Sequence, residues 1–400
     1  MSPSNRTRRL ATALVHGGRD DFAALGVHAP PLDRSTTYPV RDLAAGIASL
    51  DAMIAGGQPE GSSIYARAHN PTTARFEQAI AELEGTQAAV AYASGMAAMS
   101  AALLASGAAG GGHVVAVRPL YGGSDHLLAS GVLGTEVTWA RPQDIAGALR
   151  EDTALVILET PSNPMLDLVD LAQVVADAGQ VPVLVDNTFA TPVLQRPAEL
   201  GVTWVLHSAT KWLGGHGDVL AGVIACDEPR AAPLRQVRIG LGAVLDPQAA
   251  WLLHRSLPTL ALRVEASQAT ATELATRLAT HPTVTRVFHP SRPGADPAGL
   301  IGRQMRGPGG VLALEVTGGL EAAAAVMSAV RLLTPAVSLG STDTLIEHPA
   351  GLTHRVVDDD AQAGVGITPG LLRISVGLED VEDLWEDLEQ ALKVADAAGR

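Results

Sequence analysis

Residues 204–222 read Trp204-Val-Leu-His-Ser-Ala-Thr-Lys211-Trp-Leu-Gly-Gly-His-Gly-Asp-Val-Leu-Ala-Gly222. An apolar run from Trp204 to Leu206 passes into small hydroxyl residues, then one lysine, then glycines. That is how a buried strand delivers an amine into a roomy pocket. Burial lowers a lysine's pKa and leaves a nucleophilic amine able to form a Schiff base with an aldehyde. Ser208 and Thr210 are hydroxyl donors of the kind that hold a phosphate, so the stretch suggests a phosphorylated aldehyde, pyridoxal 5′-phosphate (PLP). Taken alone, Lys211 reads equally well as a surface lysine at a strand–loop junction.

Outward from this stretch, short apolar runs alternate with helical patterns: Ala89–Ala93, Val114–Val117, Val137–Trp139, Leu155–Leu158, Val183–Val185 and Val223–Ala225. Strands that are apolar throughout, separated by helices, predict a mostly parallel sheet covered on both faces. Ligands of such sheets sit beyond the carboxyl ends of strands. Tyr121, Glu159 to Asn163, Asp186 to Thr188 and Ser208 to Lys211 all follow strands in that position, so four strand ends point to one place. Ser94-Gly-Met-Ala-Ala98 opens a small-residue helix, whose first N–H groups form a phosphate site. The pattern Phe76, Ile80, Leu83 predicts a helix from Thr72 to about Glu84, stopped by Gly85.

The 400 residues suffice for two or three domains with ample core. With 42 acidic against 28 basic residues, the net charge of −14 argues against nucleic acid or an anionic membrane as main partner. No apolar run reaches the roughly 18 residues needed to cross a bilayer. Arg6, Arg8 and Arg9 are followed by no apolar stretch, so no secretion signal is expected. The single cysteine, Cys226, excludes an internal disulfide framework and fits a cytoplasmic protein. His207, His216, His348 and His354 show no zinc-ligand spacing, and no metal is expected. Residues 1–65 are irregular and rich in Pro and Gly, an arm that packs on something else, with a short helix over Ala44–Ala55. Trp251–Leu278 is helical, interrupted at Pro258, and leads into a second domain with strands over Val311–Val316 and Leu372–Val376. A terminal helix is expected over Val381–Ala397.

Taken together, Tyr65-Ala-Arg67-Ala-His-Asn70-Pro-Thr72, Ser94-Gly-Met-Ala-Ala98, Leu120-Tyr-Gly-Gly123, Glu159-Thr-Pro-Ser-Asn163-Pro, Asp186-Asn-Thr-Phe-Ala-Thr-Pro192, His207-Ser-Ala-Thr-Lys211, Gly215-His-Gly-Asp218, Ala336-Val-Ser-Leu-Gly340 and Leu372-Arg-Ile-Ser-Val-Gly-Leu-Glu-Asp380 resemble the Cys/Met-metabolism family of PLP enzymes. The resemblance implies an α/β fold of type I, aspartate aminotransferase-like, with a mostly parallel seven-stranded sheet and a smaller α+β C-terminal domain. By it, residues 1–65 form an arm contacting a neighbouring subunit, 66–262 a PLP-binding domain and 263–400 the small domain. It implies Lys211 as the cofactor-bearing base, Asp186 as partner of the pyridine nitrogen, and Tyr121 as ring-stacking residue and acid near the leaving group. Gly95, Met96, Ser208 and Thr210 would hold the phosphate, together with Tyr65 and Arg67 from the neighbouring subunit of a tetramer built as a dimer of dimers. Arg373 would clamp the substrate carboxylate, Asn163 would lie near it and the ring oxygen, and Ser338 would orient Lys211. As solitary residues, Asp186 reads as a helix N-cap, Tyr121 as a core tyrosine and Arg373 as a strand-edge ion-pair partner.

The implied activity is γ-elimination from a sulfur-containing amino acid such as cystathionine, methionine or homocysteine. γ-Replacement on an activated homoserine is the alternative, and a non-catalytic PLP-binding protein a minor one. Gly123 stands where methionine γ-lyases typically carry Cys and is common in cystathionine γ-lyases, whereas Asp343 stands where the latter usually carry Glu. Segment 45–62 is longer than in most relatives.

Overall fold

The computed structural model describes residues 8–398, so Arg6 and the rest of residues 1–7 of the arm lie outside the described residues. Seven strands make the larger sheet: β1 (Ala88–Tyr92), β2 (His113–Val117), β3 (Glu136–Ala140), β4 (Thr153–Glu159), β5 (Val183–Asp186), β6 (Trp204–His207) and β7 (Gly222–Cys226). Their order is β1-β7-β6-β5-β4-β2-β3, with β7 antiparallel to both neighbours and all other pairs parallel.

Alternate residues of each strand enter opposite cores. Val115, Val117, Val156 and Leu158 join one buried cluster with Phe76, Ile80 and Leu83; Val114, Ala116, Leu155 and Ile157 join the other with Met99, Leu103 and Leu234. Burial on both faces explains why these strands read as unbroken apolar runs. The helix Pro71–Glu84 starts on Asn70, whose side chain accepts the Thr72 and Thr73 N–H groups, and stops at Gly85 in the left-handed region.

Five further strands form a second sheet in the order β10-β11-β12-β9-β8. They are β8 (Val284–Phe288), β9 (Val311–Val316), β10 (Thr334–Pro335), β11 (Leu345–Glu347) and β12 (Leu371–Ser375). The terminal helix, Val381–Ala398, and the helix Gly319–Ala329 bury Leu384, Leu388, Leu392 and Val326 against one face of it. The helices Pro247–Ser256 and Leu260–Leu278 carry the chain from one sheet to the other, separated by a single turn, Leu257–Thr259, at Pro258.

Trp212 locks the two sheets together. Its backbone oxygen accepts a hydrogen bond from Arg263 of the connecting helix at 2.7 Å. Its indole lies so close to Gly310 and Gly340 that a Cβ at either would come within 2.8 Å or 2.9 Å of it. The arm adds the helix Leu10–His16, which buries Ala13 and Leu14 in the larger core, and the helix Leu43–Ile54. No helix among the described residues is long and apolar enough to cross a bilayer.

Candidate active site

The carboxyl ends of β2, β4, β5 and β6 open onto a cavity of about 560 Å³. Gly95, Met96, Tyr121, Asn163, Asp186, Ser208, Thr210, Lys211, Ser338 and Arg373 all line it. Eight of these ten come from segments that the larger sheet gathers at one edge, and Ser338 and Arg373 are brought to it by the second sheet. Tyr65 and Arg67 do not line it. Tyr65 is 48 % exposed on the arm, and Arg67, 5.6 Å above its ring, donates to the Ile239 carbonyl at 2.9 Å.

Lys211 follows β6, and its Nζ donates to Ser338 Oγ at 2.6 Å. Burial pulls its pKa down to about 8, with the Arg373 cation adding in the same direction and Glu347 opposing. Ser338 is held at φ +95°, a backbone region that L-residues seldom adopt. The same residue's carbonyl accepts from Arg373 Nη2 at 2.7 Å.

Arg373 (β12) is 2 % exposed and faces Glu347 (β11), 1 % exposed, in direct cross-strand register at 2.6 Å. Its Nη1 donates to Asn163 Oδ1 at 2.8 Å, and its Nε has no protein partner among the described residues. So Asn163, expected near the ring oxygen, is tied to the guanidinium. Glu347 is a site residue that sequence reasoning missed. Its only signal was membership in Leu345-Ile-Glu-His, where a buried acid looks like an exposed one.

Asp186 closes β5. Its Oδ1 accepts the Thr188 hydroxyl at 2.5 Å and the Thr188 N–H at 3.0 Å, while no protein donor reaches Oδ2 among the described residues. Burial raises its pKa, against the pull of the Thr188 hydrogen bonds. Glu159, opposite Asp186 in register, lies buried beside it and also lines the cavity. Burial pushes its carboxyl well above the usual range and the Asp186 charge pushes further. His354, buried nearby, is lowered to about 4 by burial and then by Arg373.

At the other end of the cavity, Ser94 caps the helix Gly95–Ala105 by accepting the Ala97 N–H. The Gly95 and Met96 N–H groups precede the first intrahelical acceptor. A Cβ on Gly95 would come within 3.0 Å of Ser208 Cβ and 3.1 Å of its Oγ. The absence of a side chain there keeps the space between helix start and Ser208 open. Thr210, in contrast, already donates its hydroxyl to the Ala221 carbonyl at 3.1 Å.

The donor set fits PLP. An amine with its pKa near 8 would meet the aldehyde, a carboxyl oxygen of Asp186 that has no donor among the described residues and lies at the cavity would meet the ring N–H, and a helix start with an open cradle beside a serine hydroxyl would meet the phosphate.

Comparison with known proteins agrees with this donor set. The model of the Cys/Met metabolism PLP-dependent enzymes matches residues 11–393. An L-methionine gamma-lyase of Brevibacterium sandarakinum is 56 % identical over 389 residues, covering 97 % of this chain and 98 % of that protein. Another of Streptomyces avermitilis is 56 % identical over 386 residues, covering 96 % of this chain and 89 % of that protein. A crystal structure of cystathionine gamma-lyase from Lactobacillus plantarum superposes with TM-score 0.89 at 32 % identity, covering 97 % of this chain and all of that one. One of cystathionine gamma synthase from Xanthomonas oryzae does so with 0.89 at 34 %, covering 98 % and 100 %. The chain belongs to the Cys/Met metabolism PLP-dependent enzymes, and pyridoxal 5′-phosphate is its cofactor.

Proposed function

We propose that the protein is a carbon–sulfur lyase that removes the γ-substituent of L-methionine or a related sulfur amino acid. With methionine and water, the products are 2-oxobutanoate, methanethiol and ammonia. The observation that carries the reading is Lys211, a half-buried amine with its pKa near 8, set against Ser338 in the same cavity as Arg373 and Asp186.

In this reading PLP, when bound, supplies the electron sink that makes the substrate α-proton acidic. The Gly95 and Met96 N–H groups and the Ser208 hydroxyl would hold its phosphate, whereas the Thr210 hydroxyl would join them only by giving up its bond to the Ala221 carbonyl; the partner subunit's Tyr65 would add a phenol and the partner subunit's Arg67 a cation. Asp186 keeps the ring nitrogen protonated. Arg373, fixed by Glu347, Asn163 and the Ser338 carbonyl, receives the substrate α-carboxylate and sets which substrate face meets Lys211. The Lys211 amine would take the substrate α-proton, and removal of a β-proton would then expel the γ-substituent, with Ser338 aiming the amine. Tyr121, which lines the cavity, would stack on the cofactor ring and would supply the proton to the departing sulfur.

We also assign residues 1–65 to an arm that reaches the neighbouring subunit, 66–262 to a cofactor domain and 263–400 to a small domain, in a cytoplasmic homotetramer built from two dimers. The two separate sheets, the exposed Arg67 and the lone buried cysteine support this. γ-Replacement remains the competing chemistry because similar folds include a synthase. Incubation of the purified enzyme with methionine, cystathionine or homocysteine and no added nucleophile decides between them. 2-Oxobutanoate with release of a thiol is expected, and its absence from all three would overturn the lyase reading.

A further inference from the structure

We propose that Glu159 is a positioning residue for Tyr121, holding that side chain at the cavity through a hydrogen bond to its backbone N–H. The proposal rests on the role given to Tyr121 above only for its effect on turnover.

Tyr121 is 41 % exposed, and no protein group bonds its hydroxyl among the described residues, so its place is set by its backbone. It stands at the junction between β2 and the helix Gly122–Ala129, with no side-chain cap of its own. Its carbonyl accepts the Ser124 and Asp125 N–H groups at 2.9 and 3.0 Å, and its N–H donates to Glu159 Oε2 at 2.7 Å. On the far side of the turn, Asp125 is fixed by the Arg118 guanidinium through two hydrogen bonds of 2.6 and 2.9 Å. The junction is therefore clamped twice, once to its own helix and once to the end of β4.

Glu159 is suited to the second clamp because β4 and β5 place it opposite Asp186 at the same depth. A second full negative charge there would be costly, and burial favours the neutral acid. A neutral carboxyl still offers a carbonyl oxygen to the Tyr121 N–H. Glutamine offers the same oxygen at the same reach, whereas methionine fills the volume with no oxygen acceptor.

The test compares Glu159→Gln, Glu159→Met and Glu159→Ala, each alone and with Tyr121→Phe, after circular dichroism has shown that they fold. Amide hydrogen exchange of the PLP-free protein reads the clamp directly: faster exchange at Tyr121 is expected in the Met and Ala variants and wild-type protection in Gln. With methionine, kcat is expected to fall about tenfold in Met and Ala, the effect of losing one ordinary hydrogen bond from the aligned state, with KM changed less. Gln restores it to within about threefold, and on the Tyr121→Phe background the Met and Ala changes add less than about twofold. Unchanged exchange in Glu159→Met, or an equal fall in kcat with and without the Tyr121 hydroxyl, would overturn the proposal. If Tyr121→Phe turns over like wild type while Glu159→Met loses amide protection, the clamp stands and the proton-donor role of Tyr121 falls.

Discussion

Ser338 joins two costs that a pair of substitutions separates. Its φ of +95° is strained for any residue with a Cβ, by about 1–2 kcal/mol. Its Oγ is the acceptor for Lys211 Nζ at 2.6 Å. Ser338→Ala removes the acceptor and keeps the strain. Ser338→Gly removes both, at a cost of about 0.5–1 kcal/mol from the greater freedom of the unfolded glycine. The glycine variant should therefore be the more stable of the two by up to about 1.5 kcal/mol, a difference of up to about 2 °C in melting temperature for a chain of this size. Both lose the aim of the lysine, so kcat for 2-oxobutanoate release should fall about tenfold or more in each, to similar levels. Thermal unfolding of the PLP-free variants and single-turnover assays of the loaded ones give the two readings. A glycine variant less stable than the alanine variant would refute the strain, and wild-type turnover by Ser338→Gly would refute the orienting role of the hydroxyl.

The lowered Lys211 pKa has a signature in the PLP-free protein. Between the folded value of about 8 and the ordinary 10.5, the unfolded chain holds a proton that the folded one has released. Stability gains a contribution that rises across that interval and is flat below it, and Lys211→Met should abolish this slope in melts run against pH. At Gly123 an added Cβ would come within 2.6 Å of Tyr121 Cε1 and 3.2 Å of Met96 Sδ. Gly123→Ala should therefore shift the ring, lowering kcat/KM severalfold with less than about 1 kcal/mol of stability lost; an unchanged kcat/KM would dissociate ring placement from turnover. Arg67→Ala and Lys211→Ala, each inactive alone, should regain activity when mixed and reassembled, because a hybrid interface holds one intact site. No recovery in hybrids verified by mass would show that Arg67 does not serve a neighbour.

The larger sheet was legible because its strands are buried on both faces and carry apolar residues at every position, as in Val114–Val117 and Leu155–Leu158. The helix Pro71–Glu84 was legible from its period and its stop. Three strands of the second sheet were not. β8 exposes Thr285 and Arg286, β10 is two residues long, and β11 ends in a buried glutamate, so none shows a clean period. The site was legible as residues at strand ends, but not as a network. Nothing in the sequence pairs Glu347 with Arg373 or sets Glu159 beneath Tyr121, since those contacts arise from strand register and from a turn over 30 positions away. Gly123 put efficient attack on methionine in doubt without removing methionine from the expected substrates, and relatives at 56 % identity are named L-methionine gamma-lyase. The structure gives the glycine another meaning, as the floor on which the Tyr121 ring rests.

Trp212 makes the Lys211 amine part of a lever. The peptide that carries Lys211 is continuous with an indole wedged between Gly310 and Gly340, whose backbones belong to the segments flanking β9 and Ser338. The second sheet cannot slide over the first without dragging that wedge, and with it the root of the lysine side chain. A single methyl group at position 310 or 340 would act from behind the site, retuning the reach of the amine without touching anything that lines the cavity.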